Sequence, residues 1–276
     1  MIYKKICSVV NPESDQAKDI SRKISNQFSQ CSWQIVDNFD FSNISTMDLV
    51  VAIGGDGTLL RAVSLSIKYD VPVLGINMGN VGFMTEIEGD NAILELEHYL
   101  ENSVRVEERS LLEVDFQKDN KNLSYKALND IVLARGSSVS MIETITEIDG
   151  IHLATYRGDG IVLSTSTGST GYSLALGGPV IDPKSNDYYI KPIATHMSQF
   201  GGVIVSSDSS CEITVSSRKD AQISIDGFIE HELSSGDKIS VKISDTKAKF
   251  LRKNPPNHYW STITEKLGIR KGNFSK

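Results

Sequence analysis

The chain has 276 residues, 39% of them hydrophobic and 23% charged, so it can bury a sizeable core in one or two domains. Its 28 Lys and Arg against 35 Asp and Glu leave a net charge of −7, which argues against nucleic acid or an anionic membrane as the main partner. No apolar run approaches a membrane span, and the N-terminal MIYKKICSVVN lacks a signal-peptide core. Cys7, Cys31 and Cys211 form neither a CxxC nor a His–Cys cluster, so the expectation is a cytoplasmic protein with no disulfide frame and no zinc site.

Residues 2–10 read as a first strand that stops at Asn11-Pro12. Ala17, Ile20, Ile24 and Phe28 then lie on one helical face, and residues 33–36 form a short strand. After a polar stretch comes MDLVVAIGGDGTLLRA, residues 47–62. Its branched run, 49–53, suits a buried parallel strand, and Leu59, Leu60, Ala62 and Val63 start a helix that continues to about Tyr69. Residues 71–77 are another apolar strand, with Pro72 near its start, and residues 91–100 are helical. Such alternation predicts a parallel sheet covered by helices, with ligands beyond the carboxyl ends of the strands. The loops 54–57 and 77–83 both fall there.

After about residue 103 the pattern changes to strands: 111–116, 125–133, 141–148, 151–156, 161–163, 211–215, 222–225 and 239–243. Ile148-Asp-Gly-Ile151 and Ile225-Asp-Gly-Phe228 are two-residue hairpin signals. Helices are expected only near residues 171–176 and 186–190, and again over 260–267. The expected architecture is therefore a Rossmann-like α/β domain (residues 1–102) followed by a β-rich sandwich domain (103–254). A C-terminal segment, 255–276, returns to the first.

Two stretches carry chemistry. In Gly-Gly-Asp-Gly-Thr, residues 54–58, glycines let a phosphate approach backbone N–H groups, and the helix start adds a favourable ~0.3–1 kcal/mol for an anion. An acid there repels bare phosphate, so Asp56 reads as a base or metal ligand; the alternative is a tight turn with no chemistry. The stretch is neither a Walker A loop nor G-x-G-x-x-G. The second, RGDGIVLSTSTGSTGY (157–172), crowds N–H and O–H donors before a short helix, which suits a polar, partly anionic ligand or, equally, an N-capped helix after a flexible loop. Asp159 reads as a site residue or a turn residue. Asn129 and Asp130 interrupt the apolar strand pattern at 127–133, pointing to a ligand or lying on an exposed edge. Asp226, on local grounds, is a hairpin turn residue.

In order along the chain, Gly54 to Thr58, Asn77-x-Gly-x-x-Gly-Phe83, Asn129-Asp130 and the stretch from Asp159 to Gly178 resemble the NAD kinase family, and Glu107 to Leu112 adds to the likeness. The resemblance covers about residues 2–260. It implies transfer of a phosphoryl group from ATP, or polyphosphate, to the 2′-hydroxyl of the adenosine ribose of NAD, giving NADP. It further implies Mg²⁺ or another divalent cation travelling with the phosphates and a homodimer or homotetramer. Carried over by position, Asp56 is the proton acceptor, with Gly57 and Arg61 beside it. Asn129 and Asp130 would hold the adenosine and its ribose. Arg157 and Asp159 would contact the other dinucleotide half or a neighbouring subunit's ligand. Thr170, Gly171, Tyr172, Ser173, Leu174 and Ala175 would line the dinucleotide pocket, with Ser140, Ala194 and Asp226 as further contacts. The sequence departs from the family pattern at Ser166 (usually Pro), which predicts a less rigid loop, and at Gly171, Ala175, Phe228 and Ser140. Two other readings compete: a lipid or sphingoid kinase, disfavoured by the acidic composition, and a non-catalytic nucleotide sensor, disfavoured by the intact Asp56.

Overall fold

A computed structural model describes residues 1–79, 82–137, 140–195, 201–216 and 221–267. The chain divides into two compact units, Met1–Glu108 with Ala248–Lys276, and Arg109–Lys247.

The first unit is built on a seven-stranded sheet. Its elements are β1 (Lys5–Val10), α1 (Asp15–Gln27), β2 (Ser32–Val36), β3 (Leu49–Gly54), α2 (Asp56–Tyr69), β4 (Val73–Asn77), β5 (Ile87–Glu88), α3 (Ala92–Glu101) and β6 (Arg105–Arg109). The sheet order is β2-β1-β3-β4, then the returning strand Ala248–Arg252, then β6, with β5 paired to β4. β1 to β5 and the returning strand join by parallel pairings. β3 is buried along its whole length, as a central parallel strand with helices on both faces requires. Leu49, Val51 and Ile53 pack with Ile24 of α1 and Leu96 and Tyr99 of α3. By the two-residue period Val50 and Ala52 turn to the other face, where α2 crosses β1, β3 and β4. α1 starts where the Ser14 hydroxyl accepts the Ala17 N–H, a cap worth about 1 kcal/mol. In register, Gly54 at the end of β3 stands opposite Asn77 at the end of β4, so their two loops leave the sheet side by side. The helix His258–Lys266 belongs to this unit.

The second unit is a sandwich of β7 (Leu112–Lys118), β8 (Lys121–Ala127), β9 (Asp130–Arg135), β10 (Ile142–Ile148), β11 (Ile151–Gly158), β12 (Gly160–Thr165), the short helix α4 (Tyr172–Ala175), β13 (Tyr188–Ile193), β14 (Val203–Val205), β15 (Cys211–Val215), β16 (Ala221–Ile225), β17 (Ile229–Leu233) and β18 (Lys238–Ile243). The strands form two six-stranded sheets, β11-β10-β15-β18-β7-β8 and β14-β13-β12-β9-β16-β17. Every pairing within them is antiparallel. Their inward residues share one core, to which β7 gives Leu112, Val114 and Phe116 and β9 gives Ile131 and Leu133. Asp149-Gly150 and Asp226-Gly227 have positive φ at both positions, as type I′ hairpin turns demand.

Two sequence expectations are corrected, and several strands are added. Residues 125–133 are not one strand: β8 ends one sheet at Ala127 and β9 begins in the other at Asp130, so Asn129 sits in a crossover. An apolar run shows burial on either side of such a break but not the break itself. Residues 186–190 are not helical; they lead into β13, whose Tyr188, Tyr189, Ile190 and Ile193 suit a pleated surface. Pro192 is tolerated because the ladder to β14 stops at Ile190. The strands Ile87–Glu88, Arg105–Arg109, Val203–Val205, Ile229–Leu233 and Ala248–Arg252 were not evident in the sequence, being short or rich in charge.

Candidate active site

In the first unit the site forms where β3 and β4 end. Gly55 caps α2, and its carbonyl accepts the N–H groups of Thr58 and Leu59. Asp56 is the first helical residue and is half-buried. Its carboxylate is already engaged: Oδ2 accepts the Phe83 N–H at 2.9 Å and Oδ1 the Met84 N–H at 3.4 Å. Gly82 lies so close that a Cβ there would collide with Asp56 Oδ1. The loop after β4 therefore folds onto the acid of the loop after β3, as their side-by-side exit allows. Asn77 anchors its start, donating from Nδ2 to Glu88 Oε2 at 3.0 Å and to the Gly79 carbonyl at 3.3 Å. Asn80 and Val81 of this loop lie outside the described residues. A carboxylate offers about four lone-pair sites, so two backbone donors leave Asp56 room for a substrate hydroxyl. Gly57 is exposed, and a Cβ at Gly55 or Gly57 would meet open space. Arg61, on α2, stacks its guanidinium over the Phe39 ring at 4.5 Å. Nothing in the sequence pattern singled out Phe39 as its partner.

In the second unit the sequence-expected residues separate into two groups, at opposite ends of the sheet that contains β12, β9 and β16. One end collects the start of β9, the end of β12 and the end of β16. There Asp226, with φ 50°, accepts three consecutive backbone N–H groups, from Leu128 (2.8 Å), Asn129 (2.7 Å) and Asp130 (3.1 Å). Asp226 is thus both a turn residue and the anchor of the Asn129-Asp130 crossover. The Thr165 hydroxyl donates to the Leu128 carbonyl and accepts the Gly168 N–H. A Cβ at Gly168 would collide with the Asn129 carbonyl oxygen, so only glycine permits this approach. Across the turn, a Cβ at Gly171 would lie 3.8 Å from Asn129 Nδ2 and 4.0 Å from Asp130 Oδ2. The structure thus brings Asn129, Asp130, Asp226 and the turn carrying Thr170, Gly171, Tyr172, Ser173, Leu174 and Ala175 into one neighbourhood.

Three features of this neighbourhood suit a ligand. Asn129 Oδ1 and Ser173 Oγ are buried with no hydrogen-bond partner, and buried polar atoms are rarely left so. Tyr172 is 44% exposed, leaving its ring available for stacking. Burial, with the charge of Asp226 adding to it, pushes the Asp130 carboxyl up to about 7. Burial raises Asp226 to about 6, against the three N–H groups that favour its charged form. Of the two, Asp226, with its three N–H donors, is the better placed to hold the negative charge, and Asp130 is the one that more readily keeps a proton and can then donate as well as accept a hydrogen bond. Ser166, where the missing proline predicts a less rigid loop, is tied into its surroundings. It is buried, its hydroxyl donates to the Ser185 carbonyl at 2.8 Å, and its carbonyl accepts from the Ser169 hydroxyl.

The second group lies at the other end, about 17 Å away along the six residues of β12. Asp159 pairs with Arg135 Nε at 3.0 Å, and its N–H bonds the Ile193 carbonyl. Ala194 follows in the left-handed region, φ 47°, a conformation costly for a residue with a Cβ. Arg157, on the edge strand β11, and Ser140, before β10, are exposed here. Asp159, Ala194, Arg157 and Ser140 therefore do not join Asn129 and Asp130 within this unit. Sequence order could not reveal this, because the residues flanking β12 are close in number and far apart in space.

Residues 10–104 match the ATP-NAD kinase N-terminal domain family and residues 128–253 the ATP-NAD kinase C-terminal domain family. An NAD kinase of Dehalococcoides mccartyi is 36% identical, over 99% of this chain and 98% of its own length. One of Sulfurimonas denitrificans is 34% identical, over 96% and 97%. Among solved structures, yeast NADH kinase complexed with NADH superposes with a TM-score of 0.87 at 22% identity, over 100% of this chain and 91% of that one. An NAD kinase from Archaeoglobus fulgidus in complex with ATP superposes at 0.77 and 24% identity, over 96% and 99%. The two matched domains, with full-length relatives above 30% identity, place the chain in the NAD kinase family.

Proposed function

We propose that this NAD kinase uses Asp56 to orient the 2′-hydroxyl of the adenosine ribose of NAD and to take its proton as the phosphoryl group of ATP arrives. The observation that carries the assignment is the engagement of Asp56. Its carboxylate is fixed by the Phe83 and Met84 N–H groups at the N-terminus of α2 and keeps unused acceptor sites. Phosphoryl transfer passes through a loose transition state, so orientation and charge neutralisation count for more than early proton removal. A carboxylate that orients the hydroxyl need only accept its proton late. The N–H groups of the Gly-rich turn and the helix start would face the donor phosphates. Asn129 and Asp130 would hold the adenosine and its ribose, with Tyr172 stacking on a base and the unpaired Asn129 Oδ1 and Ser173 Oγ accepting ligand donors. Asp226 serves this pocket through the backbone it holds rather than by contact.

The divalent cation enters as part of the nucleotide substrate. No helix among the described residues is long and apolar enough to cross a membrane, and a cytoplasmic location accords with the three free, buried cysteines. A homodimer or homotetramer is expected; β11 is an edge strand carrying exposed Ile151 and Leu153, a surface of the kind that assembles.

The test is NADP formation from NAD, ATP and Mg²⁺ by purified protein and by Asp56→Asn. The variant should bind NAD with little change while kcat falls by about 10²–10⁴-fold. Turnover like that of the unchanged protein would remove Asp56 from the mechanism.

A further inference from the structure

Arg252 is the last residue of the returning strand Ala248–Arg252, and none of the sequence motifs includes it. Its side chain is buried and makes polar contacts in three directions. Nη1 donates to the Met84 carbonyl at 2.8 Å and to Glu86 Oε2 at 3.1 Å, and Nε reaches Glu107 Oε1 at 3.5 Å. The guanidinium also lies 5.0 Å from the Phe250 ring centroid. Glu86 is itself fixed, because its Oε1 accepts the Tyr99 hydroxyl at 3.1 Å and the Lys253 N–H at 2.7 Å. Burial and the neighbouring Glu86 charge hold the Tyr99 phenol well above its ordinary range, so it remains a donor.

The Met84 residue links this network to the acid. Its carbonyl is gripped by Arg252, while its N–H and that of Phe83 face Asp56. Two residues on, the Glu86 N–H bonds the Gly75 carbonyl of β4, closing the segment onto the sheet. The backbone that fixes Asp56 is therefore held from behind by a side chain that arrives from the far end of the sequence.

We propose that Arg252 is a positioning residue for phosphoryl transfer: by clamping the Met84 carbonyl and Glu86 together it sets the placement of the Phe83 and Met84 N–H groups, and through them the Asp56 carboxylate. The proposal rests on the reading of Asp56 given above. A guanidinium suits the task because its planar donors hold fixed angles, Nη1 serving both the Met84 carbonyl and Glu86 while Nε addresses Glu107, whereas the donors of an ammonium rotate freely. Stability alone is a poor reason for the arrangement, since a buried ion pair often gains little over well-packed apolar residues. Geometry is the better reason: a displacement of about 1 Å at a reacting group can cost about 10²-fold in rate.

The experiment compares Arg252→Lys, Arg252→Met and Glu86→Gln with Asp56→Asn, all in the full chain. For each, kcat and KM for NAD are measured well below the melting temperature, and NAD binding is titrated by calorimetry to count competent sites. The expected result is a kcat per competent site reduced by about tenfold or more in Arg252→Met, with KM and binding within about twofold. Arg252→Lys should fall between, since lysine keeps the charge but loses the planar donor geometry and the separate contact to Glu107. If Arg252→Met does not fold, Arg252→Lys and Glu86→Gln carry the comparison. Folded Arg252 variants with unchanged kcat beside an inactive Asp56→Asn would overturn the proposal while leaving the Asp56 reading intact. An active Asp56→Asn would overturn both.

Discussion

The acids at Asp56 and at Asp130 with Asp226 are held in opposite ways. Asp56 and Asp226 each stand beside glycine just after a strand ends, and Asp130 opens β9. Asp56 is half-buried and bound by two N–H groups from a neighbouring loop, with acceptor capacity to spare. Asp130 and Asp226 are buried together, and three N–H groups draw the charge onto Asp226 and leave the proton with Asp130. The difference teaches that a carboxylate's work is set by its donors: partly satisfied in the open, it can take a proton; fully satisfied and buried, it shapes backbone.

The largest test of that contrast is Asp56→Asn, already described, where chemistry should fail by about 10²–10⁴-fold while NAD still binds. Next is Gly168→Ala. The added Cβ must push against the Asn129 carbonyl, and over-packing of this kind costs about 1–3 kcal/mol. Thermal unfolding should register the loss, and KM for NAD should rise more than kcat falls; an unchanged KM would detach the turn after β12 from the pocket.

The pH dependence sharpens the other half of the comparison. Burial, with the charge of Asp226, pushes the Asp130 carboxyl up to about 7 in the folded chain against its ordinary 3.8, so between those values the folded chain binds more protons. Its contribution to stability is fully present below about 4 and is lost as pH rises through about 7. Asp130→Asn should therefore flatten the decline in stability over that range and be more stable than the unchanged protein at pH 8. Chemical denaturation at pH 5 and pH 8 checks this, and an unaltered slope would show that the proton resides elsewhere. The smallest effect is expected from Ser166→Ala, which removes the bond to the Ser185 carbonyl and should cost about 1 kcal/mol with kcat nearly unchanged.

Much of this organisation could be read from residue order. The buried run before Gly54, the helix after it and the two Asp-Gly hairpins follow from local periodicity and turn chemistry, and they stand where expected. The break at Leu128-Asn129 could not be read, because what ends the strand is a carboxylate nearly a hundred residues later, at Asp226. Likewise Asp56 advertised itself, but its donors in the next loop and the Arg252 clamp behind them depend on which strands become neighbours in the sheet. The two-group division of the second unit is of the same kind. Asp159 and Ser164 both flank or belong to β12, and the extended strand between them carries them apart.

The anchoring of the Asn129 crossover by Asp226 also bears on the order of folding. Its three hydrogen bonds span 96 to 98 residues of chain, and the Arg252 bond to Met84 spans 168. Closing such long loops is slow relative to forming hairpins and helices. A nascent chain that has emerged only as far as β15 carries the Gly-rich turn, Asn129 and the Ser/Thr-rich turn, yet lacks both clasps that set their geometry. Competence to bind and to react is thus acquired at the end of synthesis, with the last hairpins and the returning strand.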